Sequence, residues 1–291
     1  MHISYWKLNE NPFQNVTDTR FAYLGDQYRE ALARLLYLVE QRKTGGVLAG
    51  PYGVGKSMVL ELLGDRIRED DLGQFIQSDG SGGGTLALAR LVLRRLGYAN
   101  LVYDTSQALD IMTEHFAKPH AEPDHLILAV DEAHLMMNTQ AAEFLHLLTN
   151  VRRRDAEGRA TSPAVTLILS GHPELAEKLV GDGALRQRLQ MSWTLTALTA
   201  GQTMEYVHYR IRVAGGDIWT FEESVFPELF EATAGLPRLI NNVCDVALVL
   251  GAAEEAERIT PEIMREAIAE SSAMDVVKMT GGSPAATAQN A

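Results

Sequence analysis

The sequence has 291 residues, of which 46% are apolar and 22% are charged, as in ordinary folded globular proteins. That apolar content is enough to build a sizeable core, so it excludes a chain that is disordered throughout. The formal net charge of −12 disfavours non-specific attraction of the whole molecule to nucleic acid or to anionic membranes.

Two further observations bear on the compartment. No window approaches about 18 uninterrupted apolar residues, and the N-terminal residues lack the apolar stretch of a signal peptide. We therefore predict no membrane span and a cytoplasmic location. The single cysteine, Cys244, lies in an apolar run, which predicts a small core residue in a reducing compartment.

Strands and helices alternate through the first two thirds of the chain, after an irregular lead-in over residues 1–24 that contains a turn at Asn11–Pro12–Phe13. Short apolar runs predict strands at 47–49, 74–77, 125–130 and 164–169. Apolar positions at helical spacing predict helices at 26–42, 57–67, 86–96 and 139–151. This alternation predicts a parallel sheet with crossover helices.

Strand signals fade after about residue 198, and helices are predicted at 200–213, 222–233, 236–253 and 260–270. The change predicts an α/β domain over residues 25–195 and a small all-helical lid domain over 196–272. Residues 273–291 end in a small and polar stretch, and we expect them to form a disordered tail.

A glycine-rich loop after the strand at 47–49 is the strongest chemical signal. Gly50, Pro51, Tyr52, Gly53, Val54, Gly55, Lys56 and Ser57 match the phosphate-binding loop pattern, and Met58 follows them. Glycines let successive backbone N–H groups point at the β-phosphate, and the following helix adds its positive end. Lys56 can reach the β- and γ-phosphates, and the Ser57 hydroxyl can ligate Mg²⁺. The loop therefore predicts binding of ATP with Mg²⁺.

A second signal is a buried apolar strand that ends in two carboxylates, Asp131 and Glu132. Ligands of open parallel sheets bind at this edge. We expect Asp131 to hold Mg²⁺ through its water shell and Glu132 to orient and polarise the attacking water. The alternative of a solvated strand end is disfavoured because the pair follows a phosphate loop. Asp131–Glu132–Ala133–His134 also spells a helicase box, but such helicases need a second RecA-like domain and the remaining residues are mostly helical.

A third predicted strand ends at Leu169 and is followed by polar residues. A polar side chain beside the strand of the second motif can reach the γ-phosphate or the attacking water. Ser170 and His172 are both candidates, with a slight preference for Ser170. The alternative is an ordinary turn closed by Pro173.

Two arginine sites follow. Arg186 and Arg188 lie between the predicted sheet and the lid, where an arginine could reach the γ-phosphate of a neighbouring subunit as a finger. We prefer Arg188, and a surface salt bridge is the alternative for either. Arg238, in Gly235–Leu236–Pro237–Arg238, lies near the start of a lid helix, where a cation is unfavourable unless an anion such as a γ-phosphate offsets it.

The most basic cluster is Arg152, Arg153 and Arg154 with Arg159. Its simplest interpretation is a helix C-terminus complemented by cations. The alternative is contact with duplex DNA or with an acidic partner inside a ring or filament.

With these residues in place, the sequence resembles the ExeA/GspA-type AAA+ ATPases, a group that also contains the transposition regulators TniB and TnsC. The similarity runs over about residues 5–270 and includes both nucleotide motifs. The other segments that carry it are Asn11–Pro12–Phe13, Phe21–Leu24, Tyr28–Leu32, Gly171–Leu175, Leu185–Leu189 and Gly235–Asn241.

The resemblance implies a P-loop NTPase fold of the AAA+ type, with a three-layer α/β body and a helical lid. It also implies homo-oligomers, as rings or filaments, and Mg-ATP hydrolysis completed between subunits. It assigns Lys56 and Ser57 to the first motif, Asp131 and Glu132 to the second, Arg188 to the finger and Arg238 to the lid sensor. The family usually has glutamine where His172 stands, so the choice between Ser170 and His172 stays open.

Two functions of different classes follow. The preferred one is an assembly or regulatory ATPase of a secretion or pilus-type system that acts on protein partners. The alternative is a DNA-binding, ATP-dependent transposition regulator of the TniB/TnsC kind, favoured by Arg152–Arg154. A nucleotide switch without hydrolysis is disfavoured because Lys56, Asp131 and Glu132 are all present.

Overall fold

The computed structural model describes residues 2–99, 102–118, 120–180 and 183–280. The α-helices within these ranges are α1 His2–Tyr5, α2 Asp26–Glu40, α3 Lys56–Glu69, α4 Gly84–Arg95, α5 Thr105–Ala117, α6 Thr139–Leu148, α7 Glu174–Val180, α8 Gly183–Arg188, α9 Ala200–Val213, α10 Phe226–Thr233, α11 Pro237–Ala253 and α12 Pro261–Thr280. The strands are β1 Gly45–Ala49, β2 Gln74–Asp79, β3 Leu126–Asp131, β4 Arg152–Arg154, β5 Ala160–Pro163, β6 Val165–Gly171 and β7 Met191–Thr194.

The chain divides into two compact units. Residues Leu24–Thr196 form the first, here called the α/β unit. The described residues of Met1–Tyr23 and Ala197–Ala291 form the second, here called the helical unit. The lead-in therefore belongs to the helical unit, although it lies at the other end of the sequence.

The α/β unit is built on a parallel sheet, which the described residues form with the strand order β2-β3-β6-β1-β7. Strands β1, β3 and β6 are buried along their whole length, which explains their near-continuous apolar sequences. Ala49 of β1 pairs with Gly171 of β6, and Val130 of β3 pairs with Leu169. The carboxyl ends of these three strands therefore lie side by side, and the predicted parallel sheet is confirmed.

Helices cover both faces of this sheet. On one face α4, α5 and α6 bury a common apolar core with Val47, Leu128 and Leu167 of the central strands. On the other face α2 and α3 pack against the sheet. The resulting three layers leave the carboxyl edge as the place where loops and helix starts meet.

One sequence interpretation is wrong. The helix predicted over 139–151 ends at Leu148, so the arginine cluster is not a helix C-terminus. Arg152–Arg154 instead form β4, which pairs antiparallel with β5 in a hairpin. A strand this short and this polar has neither an apolar run nor an alternating pattern, so periodicity does not reveal it.

The lead-in docks on the helical unit through contacts that are long-range in sequence. Phe13 is fully buried and meets the ring of Phe221 edge-on at 6.0 Å. Asn11 accepts a hydrogen bond from the backbone N–H of Phe13 at 2.9 Å and donates one to Asp245 at 2.8 Å. The indole N–H of Trp6 donates to the carbonyl of Leu248 at 2.8 Å. These contacts attach the lead-in to the rest of the helical unit.

Three smaller predictions have mixed outcomes. Cys244 is buried, as predicted, and burial raises the pKa of its thiol. Helix α12 extends to Thr280, into the predicted tail, and the rest of that tail, 281–291, lies outside the described residues. Among the helices of the described ranges, none has the length and apolar character needed to cross a membrane.

Candidate nucleotide-binding site

The phosphate loop joins the end of β1 to the start of α3. Gly53 and Gly55 adopt left-handed backbone conformations, with φ of 76° and 101°, that L side chains rarely adopt. A Cβ on Gly50 would lie 2.9 Å from the carbonyl oxygen of Leu195, so this position also requires glycine. No side chain caps the N-terminus of α3. Its first N–H groups are therefore available to an anion.

Lys56 and Ser57 are already engaged at the base of the loop. The buried Lys56 ammonium donates to the carbonyls of Gly50 and Pro51 at 3.0 and 3.1 Å. The Ser57 hydroxyl donates to Oδ2 of Asp131 at 2.5 Å. A buried ammonium held by carbonyl oxygens and a nearby carboxylate can exchange those partners for phosphate oxygens.

The second motif brings its carboxylates to the same place. Asp131 ends β3, and its Oδ1 accepts a hydrogen bond from the backbone N–H of Glu132 at 3.0 Å. Glu132 has a left-handed backbone with φ of 46°, which is costly for a residue with a side chain. Its Oε1 lies 3.7 Å from the Lys56 ammonium. The strained backbone thus turns Glu132 towards the phosphate loop.

Two oxygens of this cluster suit a magnesium ion. The Ser57 hydroxyl and the Asp131 carboxylate are in contact, and hard oxygen ligands are what Mg²⁺ prefers. Within the described part of the chain, no group of three or more His, Cys, Asp or Glu side chains could hold a metal. One hydroxyl and one carboxylate suit an ion that takes its remaining ligands from phosphate and water.

Both candidates for the third motif lie at this edge. Ser170 is fully buried in β6, next to Leu169 that pairs with Val130, and its hydroxyl has no hydrogen-bond partner among the described residues. His172 follows the strand and stacks on Tyr52 of the loop, with ring centroids 5.1 Å apart. Each has an observation in its favour, so the choice between them stays a prediction.

The finger candidates lie elsewhere in the α/β unit. The backbone carbonyl of Arg188 accepts a hydrogen bond from the Thr44 hydroxyl at 2.5 Å, and Gln190 N–H donates to Gly45 at the start of β1. These bonds fix Arg188 at the amino edge of the sheet, opposite the phosphate loop. Arg186 is exposed on the same short helix. The structure therefore does not bring either arginine to the loop of its own subunit.

Arg238 belongs to the helical unit. Gly235 precedes it with φ of 70°, and a Cβ there would lie 2.0 Å from the carbonyl oxygen of Leu198. Pro237 begins α11 and no side chain caps that helix. Arg238 is exposed, and no carboxylate of a described residue lies within ion-pairing distance of it. Its role as a lid sensor stays a prediction.

Two of the four arginines of the hairpin are paired with local carboxylates. Arg153 pairs with Asp124 at 3.2 Å, and Arg159 pairs with Asp155 at 2.7 Å. Arg154 is exposed and donates to the carbonyl of Gly158. The hairpin therefore presents less free positive charge than its sequence indicates.

Comparisons with known proteins agree with this geometry. Residues 39–179, which contain both nucleotide motifs, match a family described as AAA domain. Over 266 residues the chain is 27% identical to the General secretion pathway protein A of Aeromonas hydrophila, a match that covers 89% of this chain and 46% of the relative. The chain thus spans less than half the length of that relative.

Two solved structures are similar over most of the chain. The ORC2 protein of Aeropyrum pernix has a TM-score of 0.67 at 14% identity, over 95% of this chain and 75% of that chain. The ORC1 protein of the same organism, in complex with DNA, has a TM-score of 0.68 at 16% identity, over 91% and 70%. At these identities the likeness shows the fold alone.

Together these matches support a likeness to the ExeA/GspA-type AAA+ ATPases. The sequence resemblance and the predicted AAA+ fold are both confirmed by these matches. The parallel sheet, the phosphate loop after β1 and the helical C-terminal part all belong to that fold.

Sequence reasoning missed one group in this AAA+ site. His134 is buried between Glu132 and Tyr52, and His172 lies beside it. In the sequence, His134 stands out only as the last residue of the Asp131–Glu132–Ala133–His134 helicase box. Tyr52 appeared there as a variable position of the loop, so nothing indicated that the two side chains meet.

Proposed function

We propose that this chain binds Mg-ATP and hydrolyses it at a site completed by a second copy of the chain. The observation that carries the proposal is that the nucleotide motifs and the finger arginine lie at opposite edges of the sheet. Lys56, Asp131 and Glu132 meet at the carboxyl edge of the sheet, whereas Arg188 is fixed at the amino edge. A finger at the opposite edge suits the site of a neighbour.

Each side chain then has a role that its position allows. Lys56 would exchange the carbonyls of Gly50 and Pro51 for the β- and γ-phosphates. Ser57 and Asp131 would hold Mg²⁺, whose charge would stabilise the phosphates. Glu132 would orient and polarise the attacking water. Arg188 of the neighbouring copy would stabilise the charge that develops in the transition state.

The biological role we propose is an assembly or regulatory ATPase of a secretion or pilus-type system. The likeness to a General secretion pathway protein over 89% of the chain supports it. The acidic net charge of −12 favours protein partners over nucleic acid. A cytoplasmic location is part of the same proposal.

A mixing experiment tests the divided site. We expect Glu132→Gln and Arg188→Ala to be inactive alone, because each removes one half of every site. Mixed together, they should recover part of the ATP turnover, since some interfaces combine an intact Glu132 with an intact Arg188. Arg186→Ala is the matched control and should stay close to wild type.

Turnover per subunit should also rise with protein concentration over the range in which oligomers form. Two results would contradict the proposal. One is turnover that does not depend on concentration, and the other is a mixture no more active than its separate components.

A second candidate function is ATP-dependent binding of duplex DNA. The observation in its favour is that the arginines lie on an exposed hairpin, where Arg154 is free of carboxylate partners among the described residues. Salt-sensitive binding in ATP that is lost in Arg152/Arg153/Arg154→Ala would support it. Absence of binding at low salt would exclude it.

A further inference from the structure

His134 occupies the centre of a buried cluster beside the proposed hydrolytic site. Its Nδ1 lies 3.3 Å from Oε2 of Glu132, and its Nε2 lies 2.9 Å from the hydroxyl of Tyr52. Its side chain is only 3% exposed. One imidazole therefore connects the glutamate of the second motif to a side chain of the phosphate loop.

The surroundings hold the imidazole in this place. The ammonium of Lys178 donates to the backbone carbonyl of His134 at 2.6 Å. A Cβ on Gly171 would lie 3.0 Å from Nδ1, closer than almost all such contacts, so glycine leaves the ring its room. The ring of His172 lies beside it, with centroids 6.1 Å apart. The histidine thus has a dedicated cradle rather than a general place in the core.

Glu132 needs such a partner. Its Oε2 is buried and has no hydrogen-bond partner among the described residues, which is costly for a carboxylate oxygen. Nδ1 of His134 lies 3.3 Å from this oxygen, close to the length of an N–H···O hydrogen bond.

The proton on the imidazole decides what this contact does. When the Tyr52 hydroxyl donates to Nε2, the neutral ring carries its proton on Nδ1, which faces the carboxylate. The competing donor to Nδ1 is the backbone N–H of His172 at 3.4 Å, which is long for a hydrogen bond. A hydrogen bond from Nδ1–H to a charged carboxylate is stronger than a long one from a neutral backbone N–H to a bare Nδ1. The tautomer with the proton on Nδ1 is therefore favoured.

We propose that His134 is a positioning residue that orients the carboxylate of Glu132, and that Tyr52 selects the tautomer of His134 that can do so. This inference rests on the proposed hydrolysis of ATP. The Lys56 ammonium lies 3.7 Å from Oε1 of the same carboxylate. When phosphate takes that ammonium, His134 remains as the group that fixes the direction of Glu132.

Four variants isolate this role. His134→Asn retains an amide N–H close to the position of Nδ1 and can donate to Glu132. His134→Gln places its amide near the position of Nε2 and cannot. His134→Ala removes both contacts, and Tyr52→Phe removes only the hydroxyl. Each is measured for kcat and KM with ATP, for ATP affinity and for thermal stability.

The chain offers a matched control in the same unit. Tyr98 and His115 form a second tyrosine–histidine pair, with the hydroxyl 3.2 Å from Nδ1, between α4 and α5. Tyr98→Phe and His115→Asn make the same chemical changes outside the proposed site. We expect them to leave both kcat and KM close to wild type.

For His134→Ala we expect kcat to fall about 10- to 100-fold, because a misdirected reacting group costs that much, while KM and ATP affinity stay nearly unchanged. His134→Asn should recover most of kcat, and His134→Gln should resemble His134→Ala. Tyr52→Phe should lower kcat by a smaller factor.

Two results would overturn the role of His134 alone: a wild-type kcat in His134→Ala, or equal losses in all three His134 variants with a matching loss of stability. If the wild-type chain itself does not hydrolyse ATP under conditions where oligomers form, the proposed function fails and this role fails with it. The wild-type rate therefore tells the two failures apart.

Discussion

At the carboxyl edge of the sheet the basic and acidic groups of the site contact one another, whereas at the amino edge two arginines, Arg152 and Arg188, lie near each other without a carboxylate partner among the described residues. Lys56 meets loop carbonyls and Glu132, and Ser57 meets Asp131. At the other edge burial first, and then the nearby charge of Arg188, lowers the pKa of Arg152.

The two edges therefore differ in what they need from outside. In the proposed function the carboxyl edge would exchange its internal partners for a nucleotide, so it can be stable before the ligand arrives. The amino edge has positive charge to offer to an anion that its own subunit does not supply. A second copy of the chain that presents a nucleotide to Arg188 would satisfy both edges at once.

The largest effect we expect shows that the carboxyl edge serves ATP binding and the amino edge serves the hydrolytic step. Arg188→Ala should lower ATP turnover about 10³-fold while ATP affinity stays near wild type, since a finger acts on the transition state. Lys56→Ala should lose ATP binding itself, because the ammonium contacts the phosphates directly. Turnover assays with a fluorescent nucleotide titration distinguish the two. A loss of affinity in Arg188→Ala equal to that in Lys56→Ala would contradict the division.

A smaller effect concerns His125, a buried group at the amino edge. Its ring nitrogens lie 3.1 Å from the carbonyl of Leu72 and 2.9 Å from the hydroxyl of Thr166. Burial first, and then the charge of Arg42, lowers the pKa of His125 to about 4, with Arg153 acting in the same direction and Asp124 against it.

This depressed pKa fixes the sign of a pH effect. Below the ordinary pKa of about 6.5 the unfolded chain binds a proton at His125 that the folded chain does not bind. The folded state therefore loses stability as the pH falls. Between pH 6.5 and 4 the loss should reach about 3 kcal/mol. Urea unfolding of wild type and His125→Gln across that range checks it. As the pH falls, wild type should lose stability relative to His125→Gln. A difference between the two proteins that stays constant over this range would contradict the prediction.

How much of this the sequence could predict depends on the distance between the interacting residues. The phosphate loop is continuous in sequence, and Asp131–Glu132 follow an apolar strand, so local patterns located both. The central strands are buried on both faces and have apolar runs to match. Strand β7 alternates between half-buried and exposed residues over a short stretch, and its pattern is too weak to read.

The parts that could not be predicted depend on contacts between distant residues. His134 and Tyr52 are 82 positions apart, and Trp6 and Leu248 are 242 apart. Neither member of either pair has a sequence neighbour that indicates its partner. Arg188 could be predicted as part of a motif. Its place at the amino edge follows from the hydrogen bond of the Thr44 hydroxyl to its carbonyl and from the bond of Gln190 N–H to the Gly45 carbonyl.

The smallest effect tests whether an arginine at the amino edge lacks a carboxylate partner within its own subunit. Arg152 has a buried Nη1 atom with no hydrogen-bond partner among the described residues, and burial, followed by the charge of Arg188, lowers the pKa of Arg152. Arg153, its neighbour on β4, is paired with Asp124. The two arginines therefore differ in partners, not in residue type.

We expect Arg152→Met to stabilise the isolated subunit by about 1 kcal/mol, because it removes a desolvated cation and keeps an apolar stem. Arg153→Met should destabilise it by about 0.5 kcal/mol, since it removes a partly exposed ion pair. Urea unfolding at low protein concentration measures both. If Arg152→Met destabilises as much as Arg153→Met does, Arg152 has a partner in its own subunit, and the contrast between the two edges would rest on Arg188 alone.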